Sequence, residues 1–255
     1  RWEREALRAA RLVICNSERT ARDVVDLVGV PKDRVRVVYL GVSPEDFGPA
    51  SPERRHEARR ALGWDARPTR PVALFVGTLG DRGKGFDTLY AAWRTLCADP
   101  AWDVDLAVVG VGADRAHFER RLVADGLLSR VEFLGFRSDV PRILAAADVF
   151  VHPARYDAYG LAVHEALCAG VPAIVSARAG VSERLTTDCP DWVLADPEDV
   201  PALVARLRVW RRDRDAWRVR AESLGARLRT WTWDDMSREI RHLAHTESVK
   251  FPATS

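Results

Sequence analysis

The chain has 255 residues, of which 47% are apolar and 30% charged, with a formal net charge of +2. Such a composition supplies a sizeable core and excludes a disordered chain, and the near-neutral balance gives no electrostatic reason to expect nucleic acid as a partner. The lack of an apolar run of about eighteen residues, or of a leader-like opening, leads to the expectation of a soluble, cytoplasmic protein; Cys15, Cys97, Cys168 and Cys189 have the spacing of free thiols rather than of disulfides or a zinc site.

The chain opens at Arg1, inside a helical pattern, and reads as a piece of a longer protein. Extended runs at 11–15 and 35–39 flank a helix capped at Ser17. Residues 41–52, GVSPEDFGPASP, are rich in turn formers and form an interdomain linker between a unit at 1–40 and a larger one at 53–230. From Pro71 onward apolar runs alternate with amphipathic stretches. Strands are predicted at 72–76, 104–109, 131–134, 149–151, 173–175 and 192–194, with helices at 86–97, 115–125, 139–147 and 161–169. The strands lack polar alternation, so the sheet is buried on both faces: an α/β fold with a doubly wound, Rossmann-like parallel sheet and ligands at the carboxyl ends of its strands. After Glu198 come two arginine-rich helices with apolar positions at Leu203, Leu207 and Trp210, then Trp217, Leu224 and Leu228. A closing helix is expected over 231–246, from near Trp233 to about His245, and a tail over 247–255.

Two loops carry chemistry. In the first, DAYGLAVHEALCAGVPAIV, Asp157 and Glu165 stand eight residues apart around Gly160, which opens a short helix ending at Gly170 and Pro172. The first free amides of that helix point back toward Asp157, and such an end attracts phosphate. Acids on both sides of an anion site make sense when each has hydroxyls to bind, so the ligand that fits is a sugar joined to phosphate. The second loop, GTLGDRGKG at 77–85, follows a strand and leads into a helix. Gly85 after Lys84 leaves no hydroxyl for magnesium, so it is not a Walker loop, and the dinucleotide fingerprint is absent. Lys32, Lys84 and Lys250 are the only lysines in a chain that otherwise writes cations as arginine, which singles out Lys84 as a compact charge for a pyrophosphate. The alternative is a plain turn with glycines for geometry. Weaker features are the glycines Gly110 and Gly112 and the strand end FLGFRSD at 133–139, whose backbone is free to read a nucleobase edge. His152 reads as a wall residue.

Taken in order, these pieces resemble the retaining GT-B glycosyltransferases of the E-x7-E signature family, glycosyltransferase family four. The likeness rests on Asn16, Ser17 and Thr20; on Val37, Gly41, Val42 and Phe47; on Gly77, Leu79, Lys84 and Gly85; on F-L-G-F at 133–136 and A-A-D-V-F-V-x-P at 146–153; and on the acidic loop with its helix and Trp233. It implies a Rossmann-like donor domain preceded by a remnant of the acceptor-side domain, onto which the closing helix packs back. By position it implies that Lys84 and the amides of Gly160, Leu161 and Ala162 hold a diphosphate, with Tyr159 beside them. Glu165 would bind the ribose and Asp157 the sugar hydroxyls, while Gly135, Phe136 and Arg137 meet the base. Lys84, Asp157 and Glu165 are thus the implied catalytic set, with Gly77, Thr78 and Arg82 lining the diphosphate loop. Asp157 is one methylene shorter than the family's glutamate. Thr78 stands where the family often has arginine, so either Arg82 supplies that charge or Lys84 acts alone.

The resemblance implies transfer of a hexose from a UDP- or GDP-linked donor, with retention and without a cofactor or an essential metal, to a glycan or lipid-linked acceptor in surface polysaccharide or glycolipid synthesis. A full-length protein peripheral to a membrane is compatible with it. The present piece is expected to bind donor but to transfer little sugar. Two other readings stay open: a non-catalytic nucleotide-binding or assembly module, and a nucleotide-sugar epimerase of the same architecture.

Overall fold

The structure is a computed structural model and describes residues 2–250 other than 68, 81 and 186, with the side chains of 247–250 set aside. Helix α1 (Trp2–Ala9) leads into strand β1 (Val13–Cys15), helix α2 (Glu18–Asp23) and strand β2 (Val35–Val37), which lies parallel to β1. Ser17 caps α2 by accepting from the Thr20 amide at 3.0 Å, as its position before an amphipathic run predicts. This unit has its own small core of Val13, Cys15, Ala21, Val24 and Val30.

No periodic signal predicts an element between the linker and Pro71, but helix α3 (Pro52–Ala61) occupies part of that stretch. PERRHEARRA carries almost no apolar face, so periodicity misses it; the available signal is Ser51 as N-cap followed by proline in the first turn. Tertiary ion pairs hold it instead. Arg55 and Arg59 reach Asp148 at 2.8 and 3.4 Å and donate to carbonyls at the end of helix α6 (Val140–Ala146).

The larger unit then runs β3 (Val72–Val76), α4 (Phe86–Cys97), β4 (Asp105–Val109), α5 (Arg115–Ala124), β5 (Val131–Gly135), α6, β6 (Val149–His152), α7 (Leu161–Cys168), β7 (Ala173–Ser176) and β8 (Val193–Leu194). These six strands form one parallel sheet in the order β5-β4-β3-β6-β7-β8. Apolar runs such as VALFV in β3 are buried through both faces, as unalternated strands must be. The order decides where a ligand can go. From β3 the chain winds outward through β4 and β5, and from β6 it winds the other way through β7 and β8. Loops leaving β3 and β6 therefore diverge to opposite faces, and a crevice opens between their carboxyl ends.

Helices α8 (Val200–Arg212) and α9 (Arg214–Leu228) pack on α4 and α7 through Leu203, Leu207, Trp210, Trp217 and Leu224, all buried. At Trp231 the chain turns back: Val42 pairs with Thr232, and the Trp231 indole N–H donates to the Tyr39 carbonyl at 3.0 Å. Trp231→Phe removes that one donor and should lower stability by about 1 kcal/mol in urea unfolding. Helix α10 (Trp233–Lys250) continues beyond the predicted end near His245, because no breaker occurs before Pro252. Residues 251–255 of the predicted tail lie outside the described residues.

Candidate active site

Lys84 leaves the loop after β3, and Asp157 leaves the loop after β6. The switch point of the sheet brings them together: Lys84 Nζ lies 2.8 Å from Asp157 Oδ2. The two loops are also joined along the backbone, since the amides of Arg155 and Tyr156 donate to the Gly83 carbonyl at 2.7 and 3.4 Å. Arg155 adds side-chain bonds to the Arg82 carbonyl, to Asp87 and to Glu198, which fixes the lysine loop against the start of α4. Asp81 of that loop lies outside the described residues.

Asp157 has a second partner. His152, at the end of β6 and almost fully buried, sets Nε2 at 3.0 Å from the same Oδ2. Burial alone would raise the Asp157 carboxyl, but the hydrogen bonds from His152 and Lys84 and the nearby positive charge outweigh it and hold the group well below the usual carboxylate range. Asp157 is thus ionised and oriented, and the lysine is held over the crevice.

Gly160 sits at φ +96° as the residue before α7, a left-handed conformation that side chains rarely adopt. Its bend aims the helix start at the acidic loop. The amides of Leu161 and Ala162 make no hydrogen bond among the described residues, while those of Val163 and His164 both turn to the Gly160 carbonyl. They are donors next to the positive end of a helix dipole. One turn further on lies Glu165, a carboxyl with no hydrogen-bond or ion-pair partner among the described residues. Burial, with no compensating cation, pushes it up to about 7.

The remaining predicted residues fall in three groups. Gly77, Thr78 and Arg82 lie along the lysine loop; Arg82 is three-quarters exposed and pairs with Asp87 at 3.3 Å. Gly135 ends β5 with Phe136 beside it, 79% exposed. Arg137 is gripped by Asp139 through two bonds of 2.7 Å, so what its position offers a ligand is chiefly backbone. Tyr159 departs from the expectation. Its side chain is buried, with its hydroxyl 3.1 Å from His164 Nδ1 and its ring against Tyr39, so only its backbone can face a ligand. Burial also drives His164 down to about 4, which makes it a neutral packing residue. The sequence does not tell that the Tyr159 side chain turns into the core while the amides just after Gly160 stay open.

From the sequence His152 is expected to be a wall residue. Its bond to Asp157 makes it part of the site, and the signal available was its place at the end of an apolar strand just before the acidic loop. A separate cavity of about 350 Å³ lies at the opposite end of the sheet, where Arg67, Arg70 and Arg130 all reach Asp105. It contains none of the predicted residues.

An open parallel sheet with a lysine, a helix start and two acids at its switch point belongs to the doubly wound α/β class, in which ligands bind outside the carboxyl ends of the strands. The chain belongs to the group 1 glycosyl transferases: residues 70–213 match the family described as "Glycosyl transferases group 1", and residues 1–46 match "Glycosyltransferase Family 4". Over 237 residues it is 28% identical to O-antigen chain mannosyltransferase B of Escherichia coli, which covers 91% of this chain and 59% of that protein. Over 179 residues it is 36% identical to a GDP-mannose-dependent alpha-(1-6)-phosphatidylinositol dimannoside mannosyltransferase of Mycobacterium tuberculosis, covering 69% of this chain and 43% of that protein. The chain therefore spans about half the length of these relatives. Among solved structures, sucrose-phosphate synthase from Thermosynechococcus elongatus superposes with a TM-score of 0.82 at 25% identity, over 96% of this chain and 60% of that one. The doubly wound fold read from the sequence is the fold of these enzymes. No helix among the described residues is long and apolar enough to cross a membrane.

Proposed function

We propose that this chain is the nucleotide-sugar half of a retaining GT-B glycosyltransferase of the E-x7-E kind, with residues 1–40 as the end of the acceptor-side domain. The observation that carries the reading is the pairing of Lys84 with Asp157 across the switch point, beside a helix start and a half-buried Glu165 carboxyl that have no partner among the described residues. A donor diphosphate would draw Lys84 and the amides of Leu161 and Ala162. Asp157, kept ionised by His152, would exchange the lysine for hydroxyls of the sugar. Glu165 would accept from the ribose, and the backbone of 135–137 with the Phe136 ring would meet the base.

The chemical demand is the charge that develops on the departing diphosphate. Donors fixed in advance meet that charge without reorganisation. Two carboxylates acting as in a glycosidase would leave the lysine and the helix start with no charge to meet. The names of the two relatives favour mannose as the sugar, one of them specifies GDP-mannose, and together they favour a polysaccharide or glycolipid acceptor.

Calorimetric titration with GDP and UDP tests the reading. Saturable binding is expected, with GDP the tighter; UDP binding as tight or tighter rejects the guanosine assignment, and binding of neither rejects the site. The 255-residue chain should release little free nucleotide in an acceptor-dependent manner, because most of the acceptor-side domain lies outside it. Robust acceptor-dependent release would contradict this.

A further inference from the structure

We propose that Ser17 and Thr20 are positioning residues of the donor site, which hold the Asp157 loop from the N-terminal segment. This rests on the functional reading above and adds a requirement to it: the first signature acid is placed jointly by two units of the chain.

The helix-capping role of Ser17 needs only that its Oγ accept from the Thr20 amide. The hydroxyl also lies 2.9 Å from the carbonyl oxygen of Ala158, and Thr20 Oγ1 lies 3.1 Å from the same oxygen. Ser17 is fully buried and Thr20 half-buried. Ala158 is the residue between Asp157 and Tyr159. The neighbouring carbonyls of that loop are held from the other side, Asp157 by the Gly180 amide at 3.1 Å and Tyr159 by the Val181 amide at 2.6 Å. Successive carbonyls of the acidic loop are thus fixed alternately by the loop after β7 and by the N-terminal segment.

The grip is reciprocal. Glu183 accepts from the amides of Glu18 and Arg19 at 2.9 and 2.7 Å and from the Tyr39 hydroxyl at 3.1 Å, so the larger unit caps the same helix whose side chains hold its loop. Gly180 makes the contact possible: a Cβ there would stand 2.4 Å from the Ala158 oxygen and 2.6 Å from Ser17 Oγ. The shortened acid gives the arrangement its consequence. Aspartate has one rotatable bond fewer than glutamate, so the backbone at 157–159 largely decides where its carboxylate sits, and one carbonyl held or released moves it relative to the donor sugar.

The test uses Thr20→Val, which removes one donor and leaves the Ser17 cap intact, with Ser17→Ala alongside and Thr20→Ser as the conservative variant. Amide hydrogen exchange over 156–162 and 178–183 is measured on the ligand-free chain, and affinities for GDP and GDP-mannose on the same samples. Thr20→Val should speed exchange in both segments. It should weaken GDP-mannose by about three- to tenfold, the scale of one net hydrogen bond, while GDP alone changes less than about twofold on that same scale, and Thr20→Ser should restore both. Unchanged exchange overturns the proposal whatever the nucleotides do. Equal loss of GDP and GDP-mannose reduces the hydroxyls to a structural role and also overturns it. Wild-type protein that binds no nucleotide defeats the functional reading separately, and exchange then still decides whether the hydroxyls hold the loop.

Discussion

Replacing Lys84 with alanine is expected to lower turnover by about 10²–10³-fold in a catalytically competent enzyme that contains this chain, the scale of one lost transition-state donor. Ground-state affinity for nucleoside diphosphate should fall less, since the helix amides remain. The pair with Asp157 gives the prediction a second part. Without the lysine, Asp157 keeps His152 as its one side-chain partner among the described residues, so its carboxyl rises from its depressed position toward the ordinary range. Lys84→Arg should rescue poorly: a forked guanidinium is not a compact charge. Steady-state kinetics with saturating acceptor provides the measurement, and near-native turnover in Lys84→Ala would falsify the assignment.

Glu165→Gln should weaken nucleoside diphosphate binding by about 10–10²-fold at pH 8, the range for charge-assisted hydrogen bonds to a ribose. At pH 6 the loss should shrink. Burial places the free carboxyl at about 7, so below that pH the wild-type residue is itself neutral, whereas hydroxyls donating to it favour the charged form. Wild-type affinity therefore rises through this range relative to the variant, and the ratio of the two cancels titration of the nucleotide's own phosphate. Stability moves the other way. The native carboxyl at about 7 lies above the unfolded value of roughly 4.3, so the native state binds more protons in between and stability falls as pH rises from about 4.3 to about 7. Glu165→Gln should remove that slope in ligand-free urea titrations at pH 5 and 8. A wild-type to variant affinity ratio that is the same at pH 6 and 8 would sink the ribose role.

Much of this site was legible in the chain. Gly160 between an acid and a helix start, Lys84 between two glycines and the unbroken apolar strands are local signals, and the predicted strands and helices of the large sheet end within one residue of those observed. What the sequence hid is instructive. Helix α3 lacks an apolar stripe and is held by Asp148, ninety or so positions away, so no local period announces it. Tyr159, expected beside the ligand, has its side chain in the core, because its hydroxyl finds His164 only once the helix has formed. Arg137, expected at the base, has its side chain paired with Asp139, a contact the sequence does not announce.

By itself the sequence determined the alternation of strands and helices, the burial of the sheet on both faces and the loops that carry the charged residues, since periodicity, glycine and proline act over a few residues. Only the tertiary structure decided the strand order that sets β3 beside β6, and with it the meeting of Lys84 and Asp157, residues 73 positions apart. It likewise decided that Glu165 is left without a partner among the described residues and that Ser17, 141 positions from Ala158, closes on its carbonyl. Such contacts depend on chain crossings and on the burial they create, and neither is written in any short stretch of residues.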